Sequence, residues 1–248
     1  AQSVISISMK INYGPQLTQR TALLDRSYRH TSFSYRWYAY GMINMYNLDR
    51  TALLISKYLE SEGNLAVPIV ASGVEDNRAL LALFSNRHAG CAAGLGEIGY
   101  NGLCLTPQNG PRQRFCSIIT TAKLKPSPMY SGPKLCDVET CKQLGGGRPI
   151  CVKLCPAHAF SLKKMVSVDY GERTFEYAWM DHGLCAIMGS GSYGPVLGPE
   201  DRPEIPLHRG KVTYQMREEI PRSLPPKHAM EPGVYGRSHF CGICLLRC

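Results

Sequence analysis

The chain has 248 residues, 44% of them hydrophobic, and 28 Lys and Arg against 19 Asp and Glu give a formal charge of +9. That is enough apolar material for an ordinary core, in one large domain or two modest ones, and it excludes a disordered chain. No apolar run nears the roughly 18 residues of a membrane span, and "AQSVISISMKINYG" lacks the basic-then-apolar order of a signal peptide, so a soluble, cytoplasmic protein is expected.

The first element is a strand over residues 3–9, where "SVISISM" alternates apolar and polar side chains. The next stretch crowds Tyr28, Phe33, Tyr35, Trp37, Tyr38, Tyr40 and Tyr46 together. Such rings pack over a core with their hydroxyls in water, or wall a flat cofactor or aromatic substrate. "LDRTALLISKYLESEG" predicts a helix with Asp49 as N-cap, Leu53, Leu54 and Tyr58 on one face, and Gly63 just past its end. "LAVPIVA" at 65–71 is a buried strand. A second helix is expected from Glu75 to His88 through Leu80, Leu81 and Phe84, and "FCSIITT" at 115–121 reads as another strand. Strands alternating with helices predict an α/β layered domain over residues 1–125.

From residue 126 the character changes, with prolines, glycines and cysteines replacing periodicity, so a second domain is expected over 126–248. Residues 189–236 are loop-rich and too long for a turn, and something other than a regular core must hold them. The chain starts without Met and stops on Cys248, which points to a processed or truncated product.

Eleven cysteines are many for a cytosolic protein, and an odd number suits a complete disulfide set poorly. Cys91, Cys104 and Cys116 read as small buried apolar residues. Cys136, Cys141, Cys151 and Cys155 form one group and Cys241, Cys244 and Cys248 another. The first ends in the x3-C-P of a two-cluster ferredoxin run, in which the cysteine before proline ligates the other cluster. Here the spacing opens to C-x4-C-x9-C, through an insertion rich in glycine. If Cys155 crosses over, its cluster needs three more thiolates and the first needs one. The assignment is therefore Cys136, Cys141, Cys151 and Cys248 on one [4Fe–4S] cluster, with Cys155, Cys185, Cys241 and Cys244 on the other. Each four-thiolate cluster carries −2, which lowers the +9 to +5 and makes much of the basic excess internal compensation. Lys and Arg are also spread along the chain rather than clustered, which argues against a nucleic-acid partner. Structural zinc at Cys241-x2-Cys244 is the competing metal reading, but zinc needs neither the C-P ending nor the crossover.

"AGCAAGLGEIGYNGLCLTPQNGPRQR", residues 89–114, is neither a Rossmann fingerprint nor a P-loop. Its "AGLGEIGYNGLCLTP", "GPRQR" and "IITTAKL", followed by cysteines ending "CPAHA" and by "HGLC" and "HFCGIC", resembles in content and order the cobalamin-dependent iron–sulfur reductases: the reductive dehalogenases and the epoxyqueuosine reductases. The resemblance implies a nitroreductase-like domain holding base-off cobalamin, and a ferredoxin-like domain with two clusters feeding it electrons from a donor such as ferredoxin or flavodoxin. It implies reductive cleavage of a carbon–halogen or carbon–oxygen bond in a small organic substrate, under anaerobic conditions. In those terms Gly94, Gly96, Gly99, Asn101, Gly102 and Arg112 would bind the cofactor, with Arg114 beside them. Asp76 and Tyr100, or alternatively His88, would deliver the proton. Glu97 and Tyr100 replace the Trp and Lys typical of epoxyqueuosine reductases, which brings the chain closer to the dehalogenases. The alternative is an iron–sulfur electron-transfer protein or subunit lacking the corrinoid.

Overall fold

The computed structural model of the chain describes residues 1–24, 32–72, 82–155, 157–171, 173–189 and 241–248. The central sheet has the order β1–β5–β2, with β1 at Ser3–Lys10, β5 at Gln113–Thr120 and β2 at Ala66–Ile69. Both outer strands run antiparallel to β5, from Ser3↔Thr120 to Lys10↔Gln113 on one side and from Ala66↔Thr120 to Ile69↔Ser117 on the other. Cys116, Ser117, Ile118 and Thr120 are almost wholly buried, and since neighbouring residues of a strand point to opposite faces, both faces of β5 are covered. Pro68 lies in β2, where an edge strand tolerates a missing N–H. Helices and strands do alternate, but the α/β reading needs qualifying: the pairing is antiparallel and the fold is mixed helix and sheet.

Two helices follow β1, α1 at Tyr13–Leu24 and α2 at Ser32–Arg36, and a π-helix at Trp37–Leu48 runs directly into α3 at Asp49–Ser61. The aromatic segment divides within them. Tyr35 is fully buried, whereas Trp37, Tyr38 and Tyr46 are exposed; Tyr28 and the side chain of Phe33 lie outside the described residues.

Two expectations for α3 are corrected. Asp49 is not its cap, because the chain arrives already helical; its carboxylate instead accepts the Ala71 N–H at 2.7 Å, tying the helix to the end of β2. The buried stripe is Ala52, Ser56 and Leu59, one and two turns apart, while Leu53, Leu54 and Tyr58 are exposed. Small residues let the helix approach closely, which turns the larger ones outward. Gly63 ends the helix in the left-handed conformation, at φ 82°.

The second helix does not run unbroken to His88 as expected, because residues 82–85 are not helical. Residues 73–81 lie outside the described set, and α4 spans Asn86–Ala92. Ser85 is extended and accepts the His88 N–H, so it is the N-cap, and Phe84 precedes the helix. A two-stranded turn follows, β3 at Glu97–Ile98 paired with β4 at Cys104–Leu105.

Beyond residue 126 the described chain is more regular than its composition suggests. Helices α5 (Val138–Leu144) and α6 (Ile150–Lys153) precede a long hairpin, β6 (Phe160–Tyr170) and β7 (Arg173–Met180), which turns at Gly171 with φ 59°. Helix α7 spans His182–Gly189 and α8 spans Ile243–Leu246. The expected loop region falls almost entirely in 190–240, outside the described residues. Leu245 and Leu246 bury themselves in the core of the first half, beside Ile11, Tyr35 and Ile118. A second core gathers Cys151, Cys155, Ala159, Phe160 and Leu184, and a third joins Cys91, Cys104 and Phe115 to Phe175 of β7.

Candidate cluster and cofactor site

The eight cysteines singled out by spacing lie in two electrostatic neighbourhoods. Burial pushes the Cys151 thiol up to about 12, and Cys141, Cys248 and Cys136 add to it. Cys248 is raised by burial and then by Cys136 and Cys141. In the second neighbourhood burial lifts Cys185 to about 11, with Cys155 adding, and Cys241 to about 12, with Cys185 and Cys155 adding. Cys244 is pushed well up by burial and by Cys185, Cys241 and Cys155. It also feels Cys151, so the two groups adjoin. Cys248 is exposed, whereas Cys151 and Cys155 are buried. Pro156 lies outside the described residues.

Among the described residues no three His, Cys, Asp or Glu side chains close on one point, as a single metal ion would require. A cubane makes a different demand, one thiolate on each of four irons, with backbone N–H groups pointing at the sulfurs. Such donors are present. The Tyr100 N–H reaches Cys136 Sγ at 3.3 Å, the Ile150 N–H reaches Cys141 Sγ at 3.2 Å, and the Ala159 N–H reaches Cys155 Sγ at 3.4 Å. Cysteine sulfurs with backbone N–H donors are the ligand chemistry of an iron–sulfur cluster, so the residues present fit that kind of group. By contrast Cys91, Cys104 and Cys116 are buried in the cores, with Cys91 and Cys104 sulfur to sulfur at 3.0 Å.

The β3–β4 turn brackets both groups. Glu97 Oε1 accepts the N–H groups of Leu135 at 2.5 Å and Cys136 at 2.9 Å. Asn101, buried in the turn, donates through Nδ2 to the Cys244 carbonyl at 3.2 Å and accepts the Leu103 N–H at 3.1 Å. Arg112 donates to the Cys248 carbonyl at 2.7 Å, and Gln19 of α1 donates to the Cys241 carbonyl at 3.1 Å. Glu97 and Gln19 were not among the expected site residues. Glu97 was signalled only as a departure from the epoxyqueuosine reductase pattern, with no role attached, and nothing in the sequence signalled Gln19.

The glycines of this turn make their close approaches to the chain itself. A Cβ on Gly94 would collide with the Pro128 carbonyl, one on Gly96 with the Leu105 carbonyl, and one on Gly99 with the Leu105 side chain; Gly102 faces the Tyr177 ring. Tyr100 packs against the second core, beside Cys151 and Cys155.

A cavity of about 450 Å³ lies between β2, α4, β5 and β7, its wall including Asn86, His88, Gln113, Arg114, Tyr177 and His182. Among the described residues, three buried polar atoms on that wall have no hydrogen-bond partner: Asn86 Oδ1, His88 Nε2 and Arg114 Nη2. His88 Nδ1 is bonded to Ser85 Oγ at 2.7 Å, and its ring lies against Tyr170 and Tyr177. Burial, with the nearby Arg87 charge, lowers its pKa to about 4, so the ring is neutral at pH 7. Arg114 stacks on Tyr40 at 3.9 Å. Orphaned donors and acceptors suit an amide-fringed group such as a corrinoid, and the volume is that of an ordinary ligand site, one part of so large a cofactor. Of the expected proton donors, His88 is at this wall, Tyr100 is not, and Asp76 lies outside the described residues.

No family model matches the chain. It is similar to the tetrachloroethene reductive dehalogenase of Sulfurospirillum multivorans, 31% identical over 108 residues, which cover 43% of this chain and 18% of that protein. It is also similar to the tetrachloroethene reductive dehalogenase of Dehalobacter restrictus, 33% identical over 102 residues, covering 38% and 17%. The chain thus matches under a fifth of the length of these relatives. Among solved structures it aligns with the catabolic reductive dehalogenase NpRdhA at a TM-score of 0.49 and 15% identity, covering 89% of this chain and 28% of that one. A second reductive dehalogenase structure, described with a mechanism for B12-dependent dehalogenation, aligns at 0.49 and 16%, covering 90% and 28%.

Proposed function

We propose that this chain is the cluster-bearing part of an oxidoreductase of the reductive dehalogenase type, with residues 1–125 forming one side of a corrinoid site and residues 126–248 holding two [4Fe–4S] clusters. The observation that carries this reading is the sorting of eight cysteines into two adjoining fours, each drawing on residues 241–248, with one hydrogen-bonded turn between them. Cys136, Cys141, Cys151 and Cys248 hold one cluster, and Cys155, Cys185, Cys241 and Cys244 the other. The likeness in sequence to tetrachloroethene reductive dehalogenases supports a halogenated organic substrate over a carbon–oxygen one.

When bound, the corrinoid supplies a low-potential metal centre able to break a carbon–halogen bond. Asn86, His88 and Arg114 would meet its polar fringe, and Gln113 and Tyr177 complete the wall. Neutral His88 stays a hydrogen-bonding group rather than a charge, while Arg114, stacked on Tyr40, holds the cationic corner. Asp76, which lies outside the described residues, is assigned the proton on the sequence resemblance alone.

The test is anaerobic purification of the chain from cells supplied with cobalamin, followed by iron and sulfide assay and acid extraction of corrinoid. About eight irons per chain together with extractable corrinoid support the reading. About eight irons with no corrinoid would make the chain an electron-transfer module, and about four would refute the ligand sets.

A further inference from the structure

A second cavity of about 490 Å³ is lined by Lys10, Arg20, Arg112 and Arg247 together with Tyr13 and Cys248. Its lining comes from β1, α1, the turn before β5, and the C-terminal motif, and among the described residues it includes no Asp or Glu. Each of the four cations comes from a different one of these segments, so their convergence is a product of the fold and is invisible as a charge run in the sequence. One helical face supplies the rest of the surface: Tyr13, Leu17 and Arg20 are spaced four and three residues apart on α1, and Tyr13 and Leu17 are 63% and 46% exposed.

We propose that this basic, aromatic-centred surface is the docking site for an acidic protein that carries single electrons, and that electrons enter the chain there, next to Cys248. Two independent observations converge. The cations make a site for an anionic partner, and the exposed aromatic and leucine give it the apolar centre and Arg-rich composition of a protein contact. Cys248 in turn lines this cavity, so the cluster assigned to it lies beside the basic surface. A small reduced ferredoxin has the matching chemistry. One electron leaves its reduced iron–sulfur centre and one cluster of the chain passes from [4Fe–4S]²⁺ to [4Fe–4S]⁺, with no bond made or broken.

This inference rests on the two-cluster reading, and the experiment separates the two. The anaerobic holo-chain and its Lys10→Glu/Arg20→Glu variant are assayed for iron, then mixed in stopped flow with a reduced acidic bacterial ferredoxin across a salt series, and separately with photoreduced deazaflavin. The wild-type rate with ferredoxin should fall as salt rises, as for steered association. The variant should be at least tenfold slower at low salt with a flattened salt slope, while deazaflavin reduces both chains equally. Arg20→Gln, a milder change, should fall between them. Ferredoxin kinetics unchanged in the variant would overturn the docking site and leave the clusters standing. The docking site is equally overturned if the reversal weakens only retention on RNA or on anionic vesicles. A chain without iron would instead overturn the two-cluster reading, and this inference with it.

Discussion

Glu97 offers a test of whether the β3–β4 turn holds the first cluster group. Its Oε1 accepts two backbone N–H groups, those of Leu135 and Cys136, at 2.5 and 2.9 Å. Hydrogen bonds to a charged acceptor are worth about 1.5–3 kcal/mol each, against about 1 kcal/mol for neutral ones. Glu97→Gln keeps an acceptor in place and forfeits the charge, a loss of about 1 kcal/mol per bond. Glu97→Ala removes the acceptor and costs about 3–6 kcal/mol, a large share of the roughly 5–15 kcal/mol that holds a domain together. The Tyr100 N–H would still point at Cys136 Sγ, but the segment carrying that sulfur would have lost its anchor. Anaerobic Glu97→Ala should therefore purify with iron lowered from about eight toward four per chain. Glu97→Gln should retain about eight and lose half of it to a chelator about thirty-fold faster than wild type, the rate equivalent of some 2 kcal/mol. Full iron in Glu97→Ala, released at the wild-type rate, would refute the reasoning.

Three further outcomes are expected. Cys185→Ser should lose about half the iron while Cys104→Ser keeps all of it, since Cys185 neighbours Cys155 and Cys241 whereas Cys104 sits in a core beside Cys91; the reverse pattern in an iron assay would overturn the ligand sets. Asn101→Ala leaves the Leu103 N–H and the Cys244 carbonyl without their partner, a cost of about 2–4 kcal/mol that should fall on the second cluster, read as a change confined to one of two electron paramagnetic resonance signals. His88 is held neutral with its pKa lowered to about 4 from 6.5, so the unfolded chain binds the extra proton between those values and stability rises with pH across that window. Its contribution, on the order of 2 kcal/mol after allowance for solvent screening, is present above pH 6.5 and lost toward pH 4, so His88→Gln should narrow the gap between thermal midpoints measured at pH 5 and 7.5.

The strands were legible because their patterns are local: "SVISISM" alternates, and "FCSIITT" is a short apolar run of the kind that forms a strand covered on both sides. Other features were not. Leu53, Leu54 and Tyr58 obey helical spacing, yet the sheet takes the opposite stripe of Ala52, Ser56 and Leu59, because contact distance favours small side chains and periodicity alone cannot say which face is inward. The β6–β7 hairpin hid behind Lys163 and Lys164, although Val166 and Val168 opposite Tyr177 and Phe175, around Gly171, carry the alternation and the turn. The cysteine sets rest on the x3-C-P ending, read as a crossover, and remain a proposal for the iron assay to decide. The partners Glu97, Gln19 and Asn101 reach residues 39, 222 and 143 positions away, a relation no short motif encodes.

Those long reaches bear on how the site assembles. Residues 241–248 are held by the Gln19, Asn101 and Arg112 hydrogen bonds and by burial of Leu245 and Leu246. The three bonds contribute about 4 kcal/mol and the two side chains about 4 more. Fixing eight backbone residues costs at least about 8 kcal/mol, and tethering them across about fifty intervening residues of chain costs about 3–4.7 kcal/mol. The latch falls short by roughly 3–5 kcal/mol, well within what structural metal binding supplies. Burial pushes Cys151 and Cys241 to about 12, Cys185 to about 11 and Cys244 well up, so without metal these thiols stay protonated and contribute no ion pairs to make up the difference. On the proposed two-cluster reading, cluster assembly is therefore the folding step for this segment. Anaerobic chelation of iron should make residues 241–248 exchange their amide protons at least a hundredfold faster while β1 and β5 stay protected, and equal protection of 241–248 with and without iron would show that the latch closes by itself.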